Sequence, residues 1–181
     1  MLKLHVVIAS TRPGRVGPVI GKWFHEFAVG HGKFEVELVD LADPQLPLMD
    51  EPAHPRLQQY EHQHTRAWSA KVDEADAFVF VTPEYNYSAP PSLINALDYL
   101  YKEWNYKPAG FVSYGGISGG IRAVQMIKQM VTTLKWCRWW KRCPSPSSRS
   151  TSTTPASSWR TSSIRSPPPT CSTSCSGGPR H

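Results

Sequence analysis

Three short segments of this chain combine residue types suited to holding a ligand. The first, Ser10-Thr11-Arg12-Pro13-Gly14-Arg15-Val16-Gly17, sets hydroxyls, two guanidiniums and glycine-loosened backbone directly ahead of a helical pattern. That mixture suits an anion, because amides at a helix start and hydroxyls surround it while an Arg adds a bidentate charge-assisted bond. No Gly-Lys-Ser/Thr closes the segment and it contains no G-x-G-x-x-G, so it is neither of the two familiar phosphate signatures. The competing reading is a solvated basic turn.

The second segment, Thr82-Pro83-Glu84-Tyr85-Asn86-Tyr87-Ser88-Ala89-Pro90-Pro91, places two aromatics and an amide beside one carboxylate. Tyr85 and Tyr87 can wall a flat heterocycle while backbone N–H groups and Asn86 reach its polar edge. A rigid Pro-bounded turn with tyrosines packed for stability is the alternative. The third, Tyr114-Gly115-Gly116-Ile117-Ser118-Gly119-Gly120, has more glycine than a turn needs, and glycine lets backbone approach a flat ligand closely. A plain flexible connection is the alternative.

None of the three carries a nucleophile with its base. Ser10, Ser88 and Ser118 have no neighbouring His, and there is no G-x-S-x-G elbow. His25, His31, His54, His62 and His64 fall in or around the first two helical patterns, where packing or solvation accounts for them. Phosphate binding and planar-ring binding without acid–base machinery suit a cofactor that performs the bond chemistry itself.

The elements around these segments alternate. Leu4–Ala9 is a short, continuous apolar run that suits a central parallel strand covered on both faces. Ile20, Trp23, Phe24 and Phe27 then recur at helical spacing, and Phe34–Leu41 is a second strand. Leu57, Tyr60, His64, Trp68 and Val72 make a helical stripe before a third strand at Ala77–Val81. Pro90 and Pro91 stand where a helix can begin, with Leu93, Leu97, Leu100 and Trp104 behind them. Ala109–Ser113 is a fourth strand, and Ile121–Thr133 a fourth helix. The order βαβαβαβα predicts a parallel sheet between two helical layers, with ligands at the carboxyl ends of strands where strand order reverses. All three segments leave such ends.

Composition divides the chain of 181 residues at residue 135. The 46 residues from Trp136 onward hold 13 Ser, 6 Thr, 7 Pro and all 4 Cys, with no Asp or Glu. They carry 7 of the 20 Lys and Arg, leaving 13 basic residues against 14 acids in residues 1–135. The net +6 therefore belongs to the tail, which excludes nucleic-acid binding as a property of the folded part. No apolar run approaches the roughly 18 residues of a membrane span, and Met1–Leu4 leads into a strand without signal-peptide features; a cytoplasmic protein is expected. Cys171 and Cys175 lack a matching Cys/His pair at zinc-finger spacing, so no metal is expected there.

The motifs Ile8-Ala9-Ser10-Thr11-Arg12-Pro13-Gly14-Arg15, Thr82-Pro83-Glu84-Tyr85-Asn86-Tyr87-Ser88 and Tyr114-Gly115-Gly116-Ile117-Ser118-Gly119-Gly120 resemble the NADPH-dependent FMN reductase family over residues 1–135. The resemblance implies a flavodoxin-like α/β three-layer sandwich with FMN as cofactor and NAD(P)H as hydride donor. It implies that Ser10, Arg12, Arg15, Val16 and Gly17 surround the FMN phosphate. Pro83, Glu84, Tyr85, Asn86 and Tyr87 would border the ring, with Gly115, Gly116 and Ser118 approaching it from the next loop. The implied activity passes electrons to a flavin, quinone, azo compound or metal oxyanion, in a homodimer or homotetramer. An FMN-binding electron carrier and the inactive product of a damaged reductase gene are the alternatives.

The resemblance stops at Lys135, where a fifth strand and last helix should follow. Residues 144–181 offer Ile164 as their only member of Val, Leu, Ile, Phe and Met, which predicts a missing or disordered last strand and helix. The codons for Trp136-Cys137-Arg138-Trp139-Trp140-Lys141-Arg142-Cys143, read with one base restored ahead of Trp136, are compatible with Met-Val-Pro-Val-Val-Glu-Ala-Val. Because Trp has one codon, the central Val residues are nearly forced. A frameshift near codon 136 is the expectation, against a natural low-complexity extension.

Overall fold

The structure is a computed structural model that describes residues 1–138 together with 143 and 144. The chain divides into a unit spanning Met1–Ser150 and a unit spanning Thr151–His181, and the second lies outside the described residues.

Strand β1 (Leu2–Ile8) feeds helix α1 (Gly17–His31), then β2 (Phe34–Asp40), α2 (Gln63–Asp73), β3 (Ala77–Pro83), α3 (Pro91–Asp98), β4 (Pro108–Tyr114) and α4 (Ile121–Thr133). The strands are all parallel, in the order β2-β1-β3-β4, with a fifth position beyond β4. Val6, Val7 and Ile8 are at most 1% exposed, as a central strand covered on both faces requires. Strand order reverses at β1: the chain moves out to β2 and then returns past β1 to β3. The crevice between the β1 and β3 carboxyl ends is the ligand position of such a sheet.

One face of the sheet packs Val7, Phe78 and Phe80 against Trp68 and Val72 of α2, Leu93 and Leu97 of α3, and Ala123, Ile127 and Val131 of α4. The other face packs Leu4, Val6, Val81 and Val112 against Ile20, Phe24 and Ala28 of α1. Four expectations shift. Trp23 and Phe27, grouped with Ile20 and Phe24 by spacing, are more than half exposed, because α1 turns Gly17, Gly21 and Ala28 inward instead. Leu57 leaves the proposed stripe, since it ends a one-turn 3-10 helix and is exposed. His64 is on α2 but half-buried, its Nε2 lying 3.1 Å from Asp50 Oδ1. Trp136, grouped with the tail, is a core residue. Its ring stacks on Phe80 at 5.2 Å and 14° and meets Trp104 edge-on at 5.3 Å.

Two short strands, β5 (Cys137–Arg138) and β6 (Cys143–Pro144), take the fifth position. β5 pairs with Pro108 and Ala109, and β6 with Val112 and Ser113. β3 already occupies the other edge of β4, so both sit on the same side. Among the described residues, these two dipeptides occupy the fifth position. The expected absence of a last helix, and the tail as a disordered or frameshifted segment, fall outside the described residues.

Candidate functional site

The loop after β1 begins at Ser10, which is fully buried, and its Oγ accepts a hydrogen bond from Tyr114 Oη at 3.2 Å. That bond joins the first loop to the end of β4. Gly17 opens α1 directly against it: a Cβ there would lie 2.3 Å from Ser10 Oγ, so only glycine permits this approach. No side chain caps this end of α1, and its first turn has no acidic residue. The positive end of the helix dipole therefore faces the loop without an anion of its own.

The two arginines of the loop separate. Arg15 makes a bidentate pair with Asp40, Nη1 to Oδ1 at 2.6 Å and Nη2 to Oδ2 at 2.7 Å, and its Nη1 also donates to the Ser10 carbonyl. The hydrogen bond to Asp40 raises the Arg15 pKa further, against the opposing effect of burial. Its role in this geometry is to bind the loop to the end of β2. Arg12 is exposed at the loop tip with Thr11, and Val16 is exposed at the N-cap of α1. Composition alone could not divide these guanidiniums, since Asp40 lies 25 residues from Arg15.

The loop after β3 leaves Pro83, which is buried and registered opposite Tyr114. Tyr85 and Ser88 exchange backbone hydrogen bonds, each 2.9 Å, around Asn86 at φ 48° and Tyr87 at φ 67°. Two consecutive positive φ values make a tight primed turn, and a tyrosine in that region is strained. The strain is held in place by the flanking bonds and by Arg122, whose guanidinium carbon sits 4.0 Å from the Tyr87 ring centroid. The Tyr87 ring is thereby held against Arg122 while remaining exposed.

Glu84 joins the second loop to the third. Its Oε2 accepts from Ser118 Oγ at 2.5 Å and from the Arg122 amide at 3.1 Å, and its Oε1 from Arg122 Nη1 at 3.3 Å. α4 has Gly120 at its N-cap and no side-chain cap there, so Glu84 satisfies an amide of its first turn from another part of the chain. This carboxylate is a staple between loops. Ser118 consequently turns its hydroxyl to Glu84. A Cβ on Gly115 would crowd Gly120 N at 3.2 Å and Glu84 Cβ at 3.3 Å, while a Cβ on Gly116 would meet nothing within 4 Å. Gly116 therefore borders open space, beside the fully exposed Ile117.

The three loops converge at the carboxyl ends of β1, β3 and β4, with Tyr114 and Glu84 as the connecting side chains. A family model described as NADPH-dependent FMN reductase matches residues 2–138. The chain belongs to this family. An NAD(P)H-dependent FMN reductase of Schizosaccharomyces pombe is 46% identical over 126 residues, covering 68% of this chain and 63% of that protein. An NAD(P)H-dependent FMN reductase of Saccharomyces cerevisiae is 35% identical over 145 residues, covering 74% of this chain and 75% of that one. Among solved structures, the flavoenzyme NAD(P)H:acceptor oxidoreductase FerB of Paracoccus denitrificans shares the fold at a TM-score of 0.61 and 22% identity, covering 77% of this chain and 75% of that one. The stretch matched in the fission-yeast relative is thus less than two thirds of that relative's length.

The site of this FMN reductase family member suits FMN on its own geometry. An uncapped helix start beside Ser10 and Arg12 fits the phosphate, and the open space at Gly116 fits a flat ring. Sequence reasoning named Glu84 and Arg15 without their partners. It missed Asp40, Tyr114 and Arg122 as structural parts of the site. Arg122 had one signal: it is the first cation after the glycine-rich segment.

Proposed function

We propose that this chain is an NAD(P)H-dependent oxidoreductase that binds FMN across the three loops and reduces a small planar acceptor, a quinone or a second flavin. The observation that carries this reading is the crevice itself: a helix start without its own anion, an open glycine edge and a fixed Tyr87, with Glu84 fully occupied as a staple. FMN, when bound, supplies the two-electron chemistry between nicotinamide and acceptor. The protein contributes placement. Ser10, Arg12 and the amides at the start of α1 hold the phosphate, and Arg15 keeps their loop in position through Asp40. Pro83, Tyr85, Asn86 and the glycines at 115 and 116 border the ring, leaving one face for nicotinamide and acceptor in turn.

A flat acceptor is favoured because the crevice mouth offers an aromatic ring and the apolar Ile117, with Arg122 as the cation seated over Tyr87. The reading includes a dimer or tetramer in the cytoplasm. The deciding experiment mixes FMN-loaded protein with NADPH or NADH in a stopped-flow instrument, then adds a quinone, riboflavin, an azo dye or chromate. Rapid bleaching followed by faster reoxidation with quinone or flavin is the expected result. An FMN-loaded protein that does not bleach on the millisecond-to-second scale is not a reductase, and is an electron carrier or the inactive product of a damaged gene instead. Light scattering on the same sample measures the assembly state.

A further inference from the structure

Outside the three loops, ligating side chains gather on the α2 side of the sheet. His5 lies in the middle of β1 and is 1% exposed. Its registered neighbour on β2 is Glu37, and Glu74 is the C-cap residue of α2. One ligating atom from each of the three lies within 4.8 Å of the others.

The buried imidazole is unpartnered in a specific way. Its Nε2 makes no hydrogen bond among the described residues, although Glu37 Oε2 is 3.2 Å away. The distance is short and the angle is wrong for a shared proton. The imidazole side of the contact is buried while Glu37 is 40% exposed, so a cation from solvent can reach the position between them. Two ligands about 2.0–2.1 Å from a tetrahedral zinc ion stand roughly 3.3 Å apart, close to the separation found.

The neighbouring ammoniums leave that position open. Lys71 bonds Glu37 through Oε1 at 2.9 Å, so it is Oε2 that turns to the imidazole. Lys3 and Lys71 both approach Glu74 through Oε2, at 3.3 and 3.4 Å. They balance the two carboxylates and compete with any other cation for them. Glu74, on the exposed end of α2, can adjust its side chain toward the other two.

We propose that His5, Glu37 and Glu74 bind a divalent transition cation of the zinc class, with water completing its coordination. The imidazole nitrogen selects against hard cations such as magnesium and calcium, which prefer all-oxygen shells. The bound ion ties β1, β2 and the end of α2 together, so it raises the stability of the folded state by mass action.

The test uses the full FMN-loaded chain with its cysteines alkylated, so that thiolates do not contribute. Zinc chloride is titrated by calorimetry and followed by thermal unfolding, cobalt(II) reports geometry by its visible absorption, and magnesium chloride is the control. One equivalent of zinc should bind and raise Tm, cobalt should give tetrahedral bands, and magnesium should do neither. Glu37→Gln and Glu74→Gln should each weaken zinc binding by about tenfold or more, and Lys71→Met should tighten it by removing a competitor. His5→Gln should abolish binding, but a buried position can fail to fold, so the exposed Glu74→Gln carries the decision. Absence of any zinc-dependent change, or zinc binding as strong in Glu74→Gln as in the parent chain, overturns the proposal.

Discussion

Glu84 caps helix α4 from 38 residues away, accepting hydrogen bonds from both the amide and the guanidinium of Arg122. The contact fixes the angle between the second and third loops and, through Arg122, the ring of Tyr87. Glu84→Gln should therefore cost about 1–2 kcal/mol of stability, from the lost charge at a helix start and weakened bonds to a cation. It should also weaken FMN binding without changing the pH dependence of turnover. Urea unfolding and a pH–rate profile check both parts, and loss of an acidic limb from the profile would make Glu84 a proton-transfer group after all.

Arg12 and Arg15 should behave differently despite sharing one loop. Arg12→Ala should cost roughly 1.5–3 kcal/mol in FMN affinity and leave riboflavin affinity unchanged if Arg12 binds the phosphate as proposed. Arg15→Ala should lower stability, because Asp40, about four fifths buried, loses its bidentate partner. Parallel titrations with FMN and riboflavin separate the two roles; equal loss of both ligands in Arg12→Ala would remove that residue from phosphate recognition.

Glu103 makes stability depend on acid. It is buried, and its Oε1 accepts from Ser69 Oγ at 2.7 Å, Tyr60 Oη at 2.9 Å and Gln58 Nε2 at 3.1 Å. Burial alone would push its pKa up, but these hydrogen bonds outweigh it and hold the carboxyl below its ordinary value. A group depressed in the folded state contributes stability above its unfolded pKa of about 4.3 and loses it as pH falls through the folded value. Unfolding free energy should drop below about pH 4.3, and Glu103→Gln should be less stable at pH 7 with a shallower acid slope. Denaturant melts at pH 7 and pH 4 are the measurement, and identical slopes would assign the acid sensitivity elsewhere.

Trp136 joins an aromatic cluster while its buried Nε1 has no hydrogen-bond partner among the described residues. Replacing it with Phe keeps the stacking and removes the unpaired donor, so Trp136→Phe should be neutral or stabilising by about 1 kcal/mol. Trp136→Ala should cost about 3–5 kcal/mol. An indole N–H with nowhere to donate is also what a shifted reading frame can leave in a core. Inserting one base before codon 136 should therefore raise soluble yield and Tm and reduce dye binding. On the frameshift reading it would supply a continuous strand beside β4, where only four residues pair with β5 and β6 among the described residues. Equal solubility and cooperativity of the two chains would show that the tail as written closes the fold.

The sequence by itself determined the element order and which loops leave the carboxyl ends of the strands. Val6, Val7 and Ile8 form a run too continuous for a half-wet strand, and prolines at 90 and 91 and glycines at 119 and 120 mark helix starts, because these are local restrictions on burial and backbone torsion. It also singled out the three loops that the fold brings together at the ends of β1, β3 and β4, since their residue types lie close together along the chain. What only the tertiary structure decided is which polar groups remain available. Arg15 meets Asp40, Glu84 meets Arg122, and Ser10 meets Tyr114 across 25, 38 and 104 residues. Trp136 enters the core because an apolar ring gains by leaving water next to Phe80 and Trp104, whatever the composition of the residues that follow it. Pairings of this kind depend on strand register and on how the helices fold back over the sheet, and neither is written in the spacing of any one segment.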